Sequence, residues 1–359
     1  MKSDHLDQSF SSLQRVGLVL SGCLTLLSCG GGGGSSEAPE SRTPAATNVV
    51  PNDLYGRIYF REKKTFTGDR GALARMELPS GIVSSISEKS GSYFDVATDE
   101  SFFAKVITGG NEVKYFSFSD AEKYQPVDLE NYHIGLPIKL SKDDQYLAAI
   151  LSDGITIVLK VGSSGSEQLV GILKENEIFG LNLDKDMTSV EWLSDGSLIF
   201  SYHNKIYQLT NIHNAAVEYE DLHILYEYPN ENYHIHSITV GPDSEEIAFL
   251  VNGSDRPSGD IFITNLETSD TRQITETGQG FSHMAWSSNG KYLAAIFGGS
   301  IYQEMSGVCG TLWVFDANQE GVSTVEWDSW TGDTLGYRLE RVKEGKVETM
   351  CVGDGLDWR

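Results

Sequence analysis

Apolar residues in this chain come in short bursts separated by tight polar turns, with almost no helical spacing. One phrase recurs: an apolar strand, an acidic turn, then a second apolar strand. It reads "YFDVATDESFFAKV", "PIKLSKDDQYLAAIL", "TSVEWLSDGSLIFSY", "HSITVGPDSEEIAFLV" and "SHMAWSSNGKYLAAIF". The turn residues Asp99, Asp143, Asp195, Asp243 and Asn289 follow one another at spacings of 44, 52, 48 and 46 residues. Self-similarity at such a period indicates an array of one structural unit.

Each phrase leads into a further strand rich in β-branched and aromatic residues: "VKYFSF", "ITIVLKV", "KIYQL", "DIFITNL" and "TLWVFDA". A fourth, more polar strand closes the unit, as in "TRQIT". Four short strands per unit with turn residues between them predict an all-β fold, a β-propeller built of four-stranded blades. An incomplete unit from "YGRIYFREKK" to "ALARMEL" stands first, and "TLGYRLERVKEGKVETMCV" stands last. Seven second strands and seven third strands favour seven blades, closed by joining strands from both ends. Six blades plus a C-terminal hairpin is the alternative.

Two units carry a family likeness: "AWSSNGKYLAAIF" with "LWVFD", and "GPDSEEIAFL" with "DIFITNLETSDTRQIT". They resemble the TolB-like, WD-repeat-like propellers, whose blades read roughly apolar-x-Trp-Ser-Pro-Asp-Gly-Lys, Ile-Ala-Phe, Ile-Tyr-Val-x-Asp and Arg-x-Leu-Thr. The likeness spans residues 53–359 and is strongest over 185–316. It implies architecture far more than function, because propellers host many chemistries.

The chain's N-terminal region has a different pattern. The apolar run Val16 to Leu27 is 12 residues long, whereas spanning a bilayer takes about 20. Arg15 precedes it, and a Gly, Ser, Pro and Ala-rich stretch from Gly30 to Asn52 follows, the order of a secretory signal. "LLSC", Leu26 to Cys29, resembles the bacterial lipobox, and "LSGC" ending at Cys23 is a second match that would leave too short an apolar core. The expected division is a lipoprotein signal over 1–28, a lipidated Cys29 and flexible linker over 29–52, and the propeller over 53–359. The resemblance implies an anchor on the periplasmic side of the outer membrane, with membrane contact through lipid alone.

The net charge of −24 argues against nucleic acid or an anionic lipid surface as partner, since both need a basic patch. No Gly-x-Ser-x-Gly elbow, His-Glu-x-x-His pair, phosphate loop or dinucleotide fingerprint occurs. No catalytic residue, cofactor or metal ligand is therefore assigned. Acidic stretches such as "LDKDMTSV" and "VGDGLDWR" invite calcium, but lack the 12-residue loop and distal glutamate; they are expected to be solvated turns. Of the remaining cysteines, Cys309 precedes a third strand and Cys351 ends one. In adjacent blades that places them near opposite faces, about 15 Å apart at about 3.3 Å per residue, too far for a disulfide. Such a bond would shift the strand register.

Loops joining second and third strands should share a face with the blade-to-blade connections. On that face lie the irregular, glycine-rich segments Arg61 to Gly71, Asn252 to Asp260 and Gly298 to Gly310. There too lie "NYHIG", "NYHIH" and "FSHMAW". Tyr132, His133, Tyr233, His234, His236 and His283 are thus candidates for a ring of aromatic and imidazole groups at the channel mouth, able to stack on planar ligands or sugars. The function read from the sequence is a non-catalytic scaffold binding an envelope protein or glycan. A polysaccharide-active enzyme, similar to oligosaccharide lyases, with a histidine-held metal is the alternative.

Overall fold

The protein is seen in a computed structural model that describes residues 50–63, 71–87, 91–107, 112–128, 134–151, 155–161, 169–174, 187–210, 212, 221–253, 256–277, 280–298, 310–325, 335–348 and 350–359. The expected signal and Cys29 lie outside these residues. Among the described residues the secondary structure is β throughout apart from turns and one isolated helical position, and no helix is long and apolar enough to cross a membrane.

The strands run as β1 (Gly56–Glu62), β2 (Ala72–Leu78) and β3 (Ile82–Ser87) in the first blade. The second holds β4 (Gly91–Val96), β5 (Phe102–Ile107), β6 (Glu112–Ser117) and β7 (Asp120–Asp128). The third holds β8 (Ile134–Leu140), β9 (Tyr146–Leu151), β10 (Ile155–Lys160) and β11 (Leu169–Lys174). The fourth is β12 (Met187–Trp192), β13 (Leu198–Tyr202), β14 (Lys205–Leu209) and β15 (Leu222–Glu227). The fifth is β16 (Tyr233–Val240), β17 (Glu246–Gly253), β18 (Arg256–Asn265) and β19 (Thr271–Gln273). The sixth is β20 (Phe281–Trp286), β21 (Tyr292–Phe297), β22 (Thr311–Asp316) and β23 (Tyr337–Leu339). After the hairpin β24 (Arg341–Lys343) and β25 (Lys346–Glu348), the last strand, β26 (Val352–Trp358), pairs with β1 as the missing inner strand of the first blade.

Strand closure from both ends is therefore as the sequence predicts, but the described strands form six blades, not seven. The stretch read as a seventh blade divides otherwise: β23 is the sixth blade's outer strand, β24 and β25 extend the first sheet beyond β3, and β26 closes it. "VGDGLDWR", expected as a solvated turn, is that closing strand. The inner strands β26, β4, β8, β12, β16 and β20 lie side by side in an unbroken ring. The fifth and sixth blades also touch through one ladder pair, Gly259 with Phe281.

Packing follows from this layout. A blade is covered on both faces, so its second strands carry no polar alternation: every residue of "LIFSY" and "YLAAIF" is buried. Among the described residues six apolar clusters result, one at each blade interface. Phe94, Phe103 and Phe116 pack against Tyr59 and Leu73 between the second and first blades, for example, and Phe103 stacks on Phe116 at 5.1 Å. The first and sixth blades share the cluster containing Ile58, Met76, Leu312 and Trp358, which seals the ring.

The acidic turns have a local cause. In all five, the side-chain oxygen of the Asp or Asn accepts the backbone N–H two residues on: Asp99 from Ser101, Asp143 from Gln145, Asp195 from Ser197, Asp243 from Glu245 and Asn289 from Lys291, at 2.8–3.1 Å. The residue after each is left-handed, at φ 56 for Glu100, 57 for Asp144, 83 for Gly196, 62 for Ser244 and 68 for Gly290. Turns of this kind select Asp and Asn for their acceptor.

Cys351 is disulfide-bonded, contrary to expectation, and its partner lies outside the described residues. It sits just before β26, not at the end of a third strand. Gly310 and Val352 exchange backbone hydrogen bonds at 3.1 and 3.0 Å, so the segments that follow Cys309 and Cys351 run side by side. The predicted loop Asn252 to Asp260 also differs, because the ladder of β17 and β18 continues through Val251 with Asp260 to Gly253 with Arg256.

Candidate functional site

Four of the six mouth candidates are described; Tyr132 and His133 lie outside the described residues. Tyr233, His234 and His236 begin β16, with Tyr233 opposite Gly253, His234 opposite Asn252 and His236 opposite Leu250. His283 is on the neighbouring inner strand β20.

The strand start is held by its own sequence. Asn230 accepts the Asn232 N–H through its side chain at 3.0 Å and the Tyr233 N–H through its carbonyl at 3.1 Å. The turn between β13 and β14 on the preceding blade supplies the rest. His203 there is left-handed, at φ 51, and its carbonyl accepts the Ile235 N–H at 2.7 Å. The Tyr228 N–H donates to the Asn204 carbonyl at 2.8 Å, and the Asn204 side-chain amide donates back to the Tyr228 carbonyl at 2.8 Å. The ring of His203 comes within 5.2 Å of His234, and Tyr228 within 5.9 Å of Tyr233. Four half-buried rings thus meet where the fourth blade hands over to the fifth.

Sequence reasoning missed His203 and Tyr228. The signal for His203 was its position in "YHNK", the second-to-third-strand turn that topology places beside the next inner strand.

His236 lies deeper. Its Nε2 is shielded from solvent and has no hydrogen-bond partner among the described residues. A Cβ at Gly259 would come within 3.0 Å of that nitrogen and 2.7 Å of Leu250 Cβ, so the glycine leaves room for the ring. Burial, reinforced by the nearby His283 and His234, pushes the His236 pKa down to about 4. The imidazole is neutral at pH 7. His283 places Nδ1 3.2 Å from Ser282 Oγ. Among the described residues no group of three His, Cys, Asp or Glu side chains could hold a metal ion.

Toward the acidic-turn face, the inner strands carry charge at matching positions: Asp357, Asp95, Lys139 and Glu191 on four successive blades, then Thr239 and Ala285. Lys139 Nζ lies 3.1 Å from Glu191 and 3.8 Å from Asp95. Asp95 accepts the Leu140 N–H at 2.7 Å and Asp357 the Val96 N–H at 3.1 Å, each from the following blade. Burial pushes the Asp95 carboxyl upward against the pull of Lys139. Burial alone would depress Lys139, but the carboxylates of Glu191, Asp95 and Asp357 hold it above its ordinary value. Two tryptophans tie blades through carbonyls at this level: Trp192 Nε1 donates to Lys139 and Trp286 Nε1 to Thr239, at 3.0 and 3.2 Å. This end serves the ring's cohesion.

Neither a protein-family profile nor a curated protein sequence matches the chain. Its structure is similar to that of TolB from Acinetobacter baumannii, with TM-score 0.56 and 13% identity, covering 86% of this chain and 68% of that one. A putative TolB from Agrobacterium tumefaciens gives 0.50 and 12%, covering 85% and 98%. An oligogalacturonate lyase in complex with manganese gives 0.47 and 13%, covering 80% and 81%, too loose to bear on chemistry. The chain is thus a β-propeller, similar in fold to these two TolB structures.

Proposed function

We propose that the chain is a lipid-anchored cell-envelope propeller that acts as a non-catalytic binding module. In this reading Cys29 carries the lipid, residues 30–52 are a tether, and an envelope protein or a glycan docks over the mouth. What supports it is the group formed by His203, Tyr228, Tyr233 and His234: half-buried rings held at fixed positions by backbone bonds, the kind of platform that stacks on planar or sugar surfaces.

The test is a crosslinking pull-down from intact envelopes and a glycan-binding assay, comparing the wild type with the Tyr233→Ala, His234→Ala double variant. Loss of capture at unchanged stability supports the reading. Capture that survives the double variant but is lost with Asp195→Ala and Asp243→Ala would place the docking surface on the opposite face. Polysaccharide cleavage with bound metal would replace the module by an enzyme.

A further inference from the structure

The hairpin of β24 and β25 extends the first blade, and among the described residues β25 is the outermost strand of that sheet. Its backbone polarity follows from its turn. Glu344 and Gly345, at φ 51 and 75, form a two-residue connection, and the pair closing such a turn, Lys343 with Lys346, exchanges both hydrogen bonds. The next pair, Val342 with Val347, is then of the non-hydrogen-bonded kind, with its polar groups directed away from the partner strand. Val342 conforms, since its N–H donates to the Gly81 carbonyl at 2.8 Å, on the side away from β25. Val347 consequently offers its N–H and C=O at the open edge.

The side chains add two features. Val347 is 64% exposed and Ile82 52%, and Val342 stands between them in register with both. An apolar stripe therefore crosses three strands and stops at the edge. On the other face Arg341 Nε contacts Glu348 at 3.0 Å, whereas Lys346 is directly opposite Lys343, a like-charge pair.

We propose that this edge pairs antiparallel with β25 of a second copy of the chain, centred on Val347. At that register the two Val347 residues exchange both of their outward hydrogen bonds. Each Lys346 stands opposite Glu348 of the second copy, in the closer, non-hydrogen-bonded kind of pair. Lys-Val-Glu is its own complement when read antiparallel, as a two-fold interface requires. The apolar stripe continues across the axis and is covered. The contact is small, so the dimer is weak and depends on concentration.

Sedimentation velocity of the full chain over a concentration series should show a monomer–dimer equilibrium. Val347→Pro removes an N–H that makes no bond to β24 and is tolerated at an edge; it should abolish the dimer and leave the melting temperature unchanged. Lys346→Glu and Glu348→Lys should each weaken self-association about tenfold through repulsion. Mixing the two variants should restore it, because Glu-Val-Glu then faces Lys-Val-Lys. A chain monomeric at every concentration overturns the proposal, as does a dimer indifferent to Val347→Pro. Should the proline variant melt early, the mixing experiment decides: recovery upholds the proposal, and none overturns it.

Discussion

The Asp95 carboxylate of the second blade accepts the Leu140 N–H of the third at 2.7 Å while standing 3.8 Å from Lys139 Nζ. One buried side chain thus joins two inner strands and balances a buried cation. Asp95→Ala should cost about 3–5 kcal/mol, since it leaves Lys139 short of a partner and the Leu140 amide without its acceptor. Asp95→Asn keeps an acceptor and loses only the charge, so it should cost about 1–2 kcal/mol. Urea unfolding of the two variants measures the difference.

His236 makes stability depend on pH. Its folded pKa, about 4, is below the unfolded value of 6.5, so the unfolded chain takes up a proton first as pH falls. Its contribution is whole above pH 6.5 and is lost progressively toward pH 4, by about 3 kcal/mol. Asp95 acts with the opposite sign: its raised carboxyl contributes most at low pH and less as pH rises. Asp95→Asn should therefore show the acid loss more steeply than the wild type, and adding His236→Leu should flatten it. A profile untouched by His236→Leu would reject the assignment.

Gly259 is required by close approach. An alanine there would set its Cβ 2.7 Å from Leu250 Cβ and 3.0 Å from His236 Nε2, so Gly259→Ala should cost about 1–3 kcal/mol by overpacking. Thermal unfolding reads this directly.

Gly196 is required by backbone conformation instead. Nothing lies within 4 Å of a Cβ placed there, yet φ is +83. Gly196→Ala should cost about 1 kcal/mol, and Gly196→Asn clearly less, because asparagine tolerates the left-handed region. Asp195→Ala removes the acceptor for the Ser197 N–H and hydroxyl at 2.8 and 2.6 Å, and should cost about 1 kcal/mol. Comparing melting temperatures of the three separates conformation from capping.

Much of the fold was legible because the repeated turn is a local device. An Asp or Asn accepting the N–H two residues ahead leaves its mark within a few residues of sequence, five times over. Closure was harder to read, because β26 belongs to the first blade only through pairing with β1 at the far end of the chain. A trace was present: Asp357-Trp358 has the same form as Glu191-Trp192 and Ala285-Trp286, each ending an inner strand. The glycines of "VGDGLDW" obscured it by suggesting a turn. For the mouth, sequence identified strand starts but not depth. His234 and His236 are two residues apart, yet one meets His203 and the other fits against Gly259, a distinction made by neighbouring strands.

The union of β26 with β1 also sets an order of events. Trp358 Nε1 donates to the Tyr55 carbonyl, 303 positions earlier in the chain. Until β26 is made, a new chain therefore carries β1 with one edge unsatisfied, and with Ile58, Tyr59 and Phe60, all fully buried in the finished ring, awaiting cover. Loop closure over that separation is slow, and an open apolar edge is prone to mispairing meanwhile. Folding of this ring is completed by β26, and a ribosome that stops short of residue 352 releases five complete blades and a first sheet that still lacks its inner strand.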